Sequence, residues 1–212
     1  MLDYLRLLWL LRSPPALFSR LYSLPWYHDM LQRWAAPLLS PQAKILEVGC
    51  AGGDFAKSLS ASGAQIWAVD RSARMLQMAQ QHASPVQFQQ ADATSMPFLA
   101  GQFDVVLAAS LLNVVSDAPA VIAEMQRVCR PGGWISVLVP DFKFTDAAAH
   151  RYCEAENLYG FNRAAFLAWH RLARKMDIQT VARDFKAAGM TNILVSAQLG
   201  GMVGVIAGQR VD

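Results

Sequence analysis

Residues 44–70 read KILEVGCAGGDFAKSLSASGAQIWAVD, and their order decides the fold. Ile45, Leu46 and Val48 form an apolar run that predicts a buried strand. Gly49, Gly52 and Gly53 follow it as a turn able to approach a ligand without a Cβ in the way. A helical stretch and a second strand then lead to Asp70, 21 residues after Gly49, where a carboxylate can accept both hydroxyls of a ribose. Strand, glycine turn, helix, strand and acid together describe a nucleoside-binding βαβ unit.

The turn argues against a dinucleotide. A GxGxxG turn would place glycine at three positions that here hold Gly49, Ala51 and Asp54. A pyrophosphate sits on the backbone N–H groups of the first helical turn, and Asp54 would set an anion against it. A nucleoside that carries a cation instead of phosphate is compatible with Glu47, Asp54 and Asp70, as S-adenosylmethionine is with its sulfonium.

Here the sequence resembles the class I S-adenosylmethionine-dependent methyltransferases, in the broad group that includes the quinone-biosynthesis C-methyltransferases. Their first motif, (E/D)xGxGxG, stands as Glu47 to Gly53 with Ala51 in place of the middle glycine. Asp70 matches the ribose-binding acid, Met75 the side chain against the adenine, and Asp92 with Ala93 the pair that reads the adenine edge. Phe103, Asp104, Val105 and Val106 match the fourth-strand signature, and Arg130, Pro131, Gly132 and Gly133 the turn before strand five. The resemblance implies a cofactor set of Glu47, Gly49, Cys50, Gly53, Asp70, Arg71, Met75, Asp92, Ala93 and Ser110. Taken alone, Cys50 also reads as a small buried filler, and Asp70 as an N-cap for the next helix.

The alternation of strands and helices predicts a parallel sheet covered on both faces. Strands are expected at 65–69, 86–90, 103–109 and 135–139, with helices at 74–82 and 118–129, the latter stopped by Pro131-Gly132-Gly133. A helix at 180–188 precedes strands at 192–197 and 202–207, an antiparallel pair across Gln198-Leu199-Gly200-Gly201. With the resemblance, this becomes a Rossmann-like, doubly wound α/β sheet of seven strands whose last strand is antiparallel. One domain is expected over 1–212: N-terminal lid helices at 1–40, the cofactor core at 41–140, a substrate-capping helical insertion at 141–179, and a C-terminal helix and strand pair at 180–212.

Composition narrows the partner. The chain has 212 residues, 54% of them apolar, and a mean hydropathy of +0.21, which is greasy enough to expect an apolar encounter. A net charge of +3 without a Lys/Arg run argues against nucleic acid. Cys50, Cys129 and Cys153 lack metal or disulfide spacing, so a reducing cytoplasm is the default and no metal is expected. The N-terminal stretch MLDYLRLLWLLRSPPALFSRLY has an apolar run too short to span a bilayer, and Asp3 with Pro14-Pro15 does not suit a signal peptide. Two readings remain for it: a lid over the cofactor, or an amphipathic helix in peripheral contact with the inner membrane face. A second helix is expected at 21–36. The oligomeric state is left open.

The reaction that the resemblance implies is methyl transfer to a small acceptor. The segment Ser110 to Val115, SLLNVV, lacks the (N/D/S)PP(Y/F) run that accompanies base-amine methylation, no cysteine has the Pro-Cys context of pyrimidine C5 chemistry, and no acid cluster follows strand four for a catechol metal. Phe142, Phe144, Tyr152, Tyr159, Phe161, Phe166 and Trp169 suit an apolar or aromatic acceptor, or ordinary core. The tail QLGGMVGVIAGQR resembles the end of quinone-biosynthesis enzymes and points to a lipophilic, quinone-like acceptor. No catalytic residue is assigned. His28, His150 and His170 are placed within reach of the pocket as bases, His82 on the surface; Tyr22 and Tyr27 would shape the methyl-donor end, and Asn113 would face the methyl or turn the chain. The alternatives are a non-catalytic binding or partner module on the same fold, and a nicotinamide-dependent reductase.

Overall fold

The computed structural model describes residues 20–211. The N-terminal stretch expected to act as a lid or membrane helix falls, up to residue 19, outside the described residues. Seven strands form one sheet: β1 (Lys44–Val48), β2 (Gln65–Asp70), β3 (Gln87–Gln90), β4 (Phe103–Ala109), β5 (Cys129–Pro140), β6 (Met190–Gln198) and β7 (Val203–Arg210), in the order β3-β2-β1-β4-β5-β7-β6. The first five pair in parallel, and β7 runs antiparallel to both β5 and β6. This is the doubly wound, Rossmann-like sheet with an antiparallel last strand that the sequence leads one to expect.

Alternation along the strands divides the core in two. On β1, Ile45 packs to one face while Leu46 and Val48 pack to the other, because successive side chains of a strand point to opposite sides. The first face is covered by α1 (Pro25–Ala35), α2 (Asp54–Leu59) and the insertion helices α5 (Asp146–Ala155) and α6 (Gly160–Leu172). The second is covered by α4 (Ala118–Val128) and α7 (Ile178–Ala187), while the short α3 (Ala73–Ala79) follows β2.

Helix α1 starts later than the sequence predicts because Pro25 supplies the first helical position, and Ala36-Pro37 follows its end. Trp26, Met30 and Trp34 recur every fourth residue along its buried side. Trp34 Nε1 donates to Ser136 Oγ at 2.8 Å, and Ser136 Oγ donates to the Ile206 carbonyl at 3.1 Å, so one short chain of bonds ties α1, β5 and β7. Strand β5 begins earlier than expected. Phe103 pairs with Cys129 and Val105 with Trp134, so residues 130–133 form an irregular excursion within the strand, not a turn ahead of it.

The insertion aromatics pack as core. Trp26 meets Phe166 with ring centres 4.9 Å apart and Trp169 at 5.6 Å, and Tyr152 stacks on Phe166 at 5.0 Å. These rings fasten α6 to α1, each buried ring contributing about 1.5–3 kcal/mol; Phe142 and Tyr159 are instead exposed. No helix among the described residues is long and apolar enough to cross a membrane.

Candidate active site

Strand order reverses between β1 and β4, the neighbours at the centre of the sheet, so the connections leaving their carboxyl ends diverge and open a crevice there. A cavity of about 470 Å³ fills it. It is lined by Glu47 to Gly52, by Asp70 to Ser72 with Met75, by Ala91 to Thr94, and by Tyr22, Tyr27, Leu111 and Val114. Of the ten residues expected around a cofactor, Glu47, Gly49, Cys50, Asp70, Arg71, Met75, Asp92, Ala93 and Ser110 line it.

Gly53 does not. It is buried with φ 76° behind the turn, and a Cβ on it would stand 2.7 Å from the Phe88 ring and 2.8 Å from Ala79 Cβ. Its glycine is required by the packing of α2 against β3 and α3. Gly49 does face the cavity, with φ 79°, and a Cβ there would come within 2.9 Å of Leu111. Ala51 also adopts a left-handed backbone, φ 48°, which costs an L-residue about 1 kcal/mol.

Asp70 holds that turn. Its Oδ2 accepts the Ala51 N–H at 2.9 Å and its Oδ1 accepts the Ser72 N–H at 2.8 Å. Each oxygen keeps a lone pair for a further donor from the cavity. Glu47 is 3% exposed, and its Oε2 has no hydrogen-bond partner among the described residues. Burial pushes its carboxyl up to about 8, with the negative charges of Asp70 and Asp54 in the same direction and the Ala56 N–H of α2 opposing them. A buried acid with one oxygen left unpartnered is a place for a cationic or N–H donor. Tyr27 is buried beside Ser110, and burial raises its hydroxyl to about 12, so it stays neutral. Burial likewise drives the Cys50 thiol up, leaving it an inert filler of the loop.

The charge of the lining is lopsided. Among the described residues, five carboxyl groups, Glu47, Asp54, Asp70, Asp92 and Asp117, and one guanidinium, Arg71, line the cavity. That arrangement rejects a pyrophosphate and fits a nucleoside bearing positive charge. Asp92 is fully exposed at the rim, where its bonds to the Thr94 N–H (2.8 Å) and Thr94 hydroxyl (2.6 Å) hold its carboxyl below the usual carboxylate range.

The histidines do not converge here. His170 pairs with Asp146 at 3.0 Å beneath Phe144, His150 lies 3.1 Å from an Arg163 nitrogen, His28 packs edge-on to Tyr22, and His82 is exposed; none lines the cavity. Asn113 is also not in the lining. It is buried with Oδ1 unpartnered, while its neighbours Leu111, Val114 and Val115 face the cavity. Sequence reading missed Ser72, Thr94, Leu111, Val115 and Asp117, which carry no motif of their own and arrive by way of the loops after β2, β3 and β4. Among the described residues no group of three metal-ligating side chains occurs.

Residues 46–137 match the family model described as a methyltransferase domain. A demethylmenaquinone methyltransferase of Beutenbergia cavernae is 30% identical over 145 residues, 68% of this chain and 57% of that protein. A ubiquinone biosynthesis O-methyltransferase of Albidiferax ferrireducens is 36% identical over 98 residues, 43% of this chain and 39% of that protein. The chain thus spans about half, or less, of the length of the relatives it matches. Among solved structures, an S-adenosylmethionine-dependent methyltransferase of Thermotoga maritima superposes with a TM-score of 0.66 at 19% identity, covering 91% of this chain and 94% of that one. One of Aquifex aeolicus gives 0.67 at 15% identity, covering 93% and 98%. At those identities the likeness is one of fold.

Proposed function

We propose that this chain, whose residues 46–137 match the methyltransferase-domain family model, is a class I S-adenosylmethionine-dependent methyltransferase that transfers a methyl group to a small apolar or aromatic acceptor. The observation that carries the reading is the cavity at the switch point, lined among the described residues by five carboxyl groups and one guanidinium, with Glu47 Oε2 unpartnered. When bound, S-adenosylmethionine supplies a methyl on a positively charged sulfur, an activated leaving group that needs no metal.

The chain's own residues orient and shield. Asp70 would receive the ribose hydroxyls on the lone pairs its backbone partners leave free. Met75 and Ala93 would flank the adenine, with Asp92 at its edge. Glu47, at the closed end, would meet the positive charge of the amino-acid portion. Tyr22 and Tyr27 on one side and Leu111, Val114 and Val115 on the other form an apolar passage through which the acceptor would enter, excluding water from the reacting atoms. With no histidine in the lining, this site favours an acceptor whose attacking atom is already electron-rich, and the apolar walls favour a ring or lipid-like body. The kinship with quinone-biosynthesis enzymes agrees with a lipophilic acceptor.

Calorimetric titration with S-adenosylmethionine, S-adenosylhomocysteine and NAD tests the reading. Micromolar binding of the two sulfur ligands and none of NAD is expected, followed by labelled-methyl transfer into a quinone-precursor or lipid extract. Saturable NAD binding without the sulfur ligands would overturn it, and cofactor binding without transfer to any acceptor would favour a binding module.

A further inference from the structure

Residues 91–98 connect β3 to the segment before β4, and their first part, Ala91 to Thr94, forms one side of the cavity. Within it the Asp92 side chain bonds to Thr94, two residues on, the Asp92 carbonyl accepts the Ser95 N–H at 3.1 Å, and the Ala91 N–H donates to the Asp70 carbonyl of β2 at 3.2 Å. A second fastening to the body, made by side chains, lies at Met96, two residues past Thr94. Glu124 Oε1, on α4, accepts the Met96 N–H at 2.6 Å. Arg127 Nη2 donates to the Met96 carbonyl at 3.0 Å and Nη1 donates to the Phe98 carbonyl at 2.9 Å. The two side chains are joined to each other by a fork, Arg127 Nε to Glu124 Oε2 and Nη2 to Glu124 Oε1, each 2.7 Å.

Both backbone groups of Met96 are therefore held by one ion pair, and the Met96 side chain is buried beneath it. Charge-assisted bonds to backbone are stronger and more directional than neutral ones. Glu124 is 9% exposed, so water competes poorly for its bond to the Met96 N–H, while the Arg127 side chain is 39% exposed. Helix α4 is also rigidly placed, with Asp117 accepting the Ala120 N–H at one end and the Arg210 guanidinium collecting the Gln126 and Arg127 carbonyls at the other.

We infer that Glu124 and Arg127 are positioning residues for base recognition: by clamping Met96 and Phe98 they hold Ala91 to Thr94 at the distance from which adenine is told from other bases. The inference rests on the reading that this loop faces the adenine. A clamp that merely stabilised the fold would not alter which base is preferred.

The test is the ratio of dissociation constants for S-inosylhomocysteine and S-adenosylhomocysteine, measured by calorimetry on the full chain alongside thermal unfolding. Arg127→Met removes both carbonyl bonds and is expected to lower that ratio about tenfold, which corresponds to about 1.4 kcal/mol. Arg127→Lys, able to reach one carbonyl, should restore part of it, and Glu124→Gln, which keeps an acceptor for Met96, should fall between. The two conservative variants carry the test should Arg127→Met not fold. An unchanged ratio in folded variants, with only the melting temperature lowered, would overturn the inference. Asp92→Ala is the control: a changed ratio there with none in the Arg127 and Glu124 variants rejects the clamp alone. An unchanged ratio in Asp92→Ala rejects the adenine-facing loop and the clamp with it.

Discussion

The Ala51 N–H donates to Asp70 Oδ2 at 2.9 Å, so the carboxylate at the end of β2 fixes the residue that stands at the motif's middle glycine position. The left-handed backbone of Ala51, φ 48°, is held by a bond instead of by the freedom of its residue type.

Replacing that alanine should therefore change little. Ala51→Gly relieves about 1 kcal/mol of backbone strain and adds a similar entropy to the unfolded chain, so stability should stay within about 1 kcal/mol. Urea denaturation and cofactor titration check this, with affinity expected to hold within a few-fold; Ala51→Val, β-branched at positive φ, should lower stability by more than 1 kcal/mol, given roughly as the cost of such strain.

Asp70 is expected to be the most sensitive position. Asp70→Ala removes two hydrogen bonds within the protein and the acceptor for the ribose, at about 1.5–3 kcal/mol for each bond to the charged group. Cofactor affinity should fall on the order of a hundredfold or more. Asp70→Asn, which keeps one acceptor oxygen, should lose less. Unaltered affinity in Asp70→Ala would remove this residue from the site.

Glu47 predicts a pH dependence with a definite sign. In the unliganded protein its carboxyl, raised to about 8, stays protonated at neutral pH, whereas a cation bound beside it favours the carboxylate. S-adenosylmethionine should bind more tightly as pH rises from about 6 to about 8 and then level off, releasing a proton that appears as a buffer-dependent enthalpy. Stability runs the other way. The folded state holds a proton that the unfolded chain gives up above about 4.5, so the unliganded protein should lose stability as pH rises from about 4.5 to about 8. Glu47→Gln should flatten both profiles; profiles unchanged in that variant would assign the titration to another group.

Gly53→Ala should destabilise without touching the ligand. Its Cβ would lie 2.7 Å from Phe88 and 2.8 Å from Ala79, an overpacking that costs about 1–3 kcal/mol beyond the strain at φ 76°. Denaturant midpoints measure the loss. Cofactor affinity of the folded fraction should remain near that of the unaltered protein, since Gly53 lies outside the cavity lining.

The sequence by itself determined the βαβ unit, the strand alternation and the antiparallel ending. Those features are written in local rules: apolar runs, glycine at a turn, an acid at a strand end, and a short Gly-Gly link between β6 and β7. It also pointed to Glu47 and Asp70 by their position along or at the end of a strand, and to Asp92 through the family resemblance, and the fold brings all three to the cavity. What only the tertiary structure decided depends on partners distant in the chain. Gly53 looks like its neighbour Gly49 in sequence, and only Phe88 and Ala79 packed behind it assign it to the core. The insertion aromatics read equally as an acceptor pocket or as core until Trp26 of α1 meets Phe166 and Trp169. His150 and His170 read as candidate bases until the fold pairs them with Arg163 and Asp146. The clamp of Glu124 and Arg127 on Met96 joins residues about 30 positions apart with no periodicity to announce it, since a side chain's partner is set by how helices dock on the sheet.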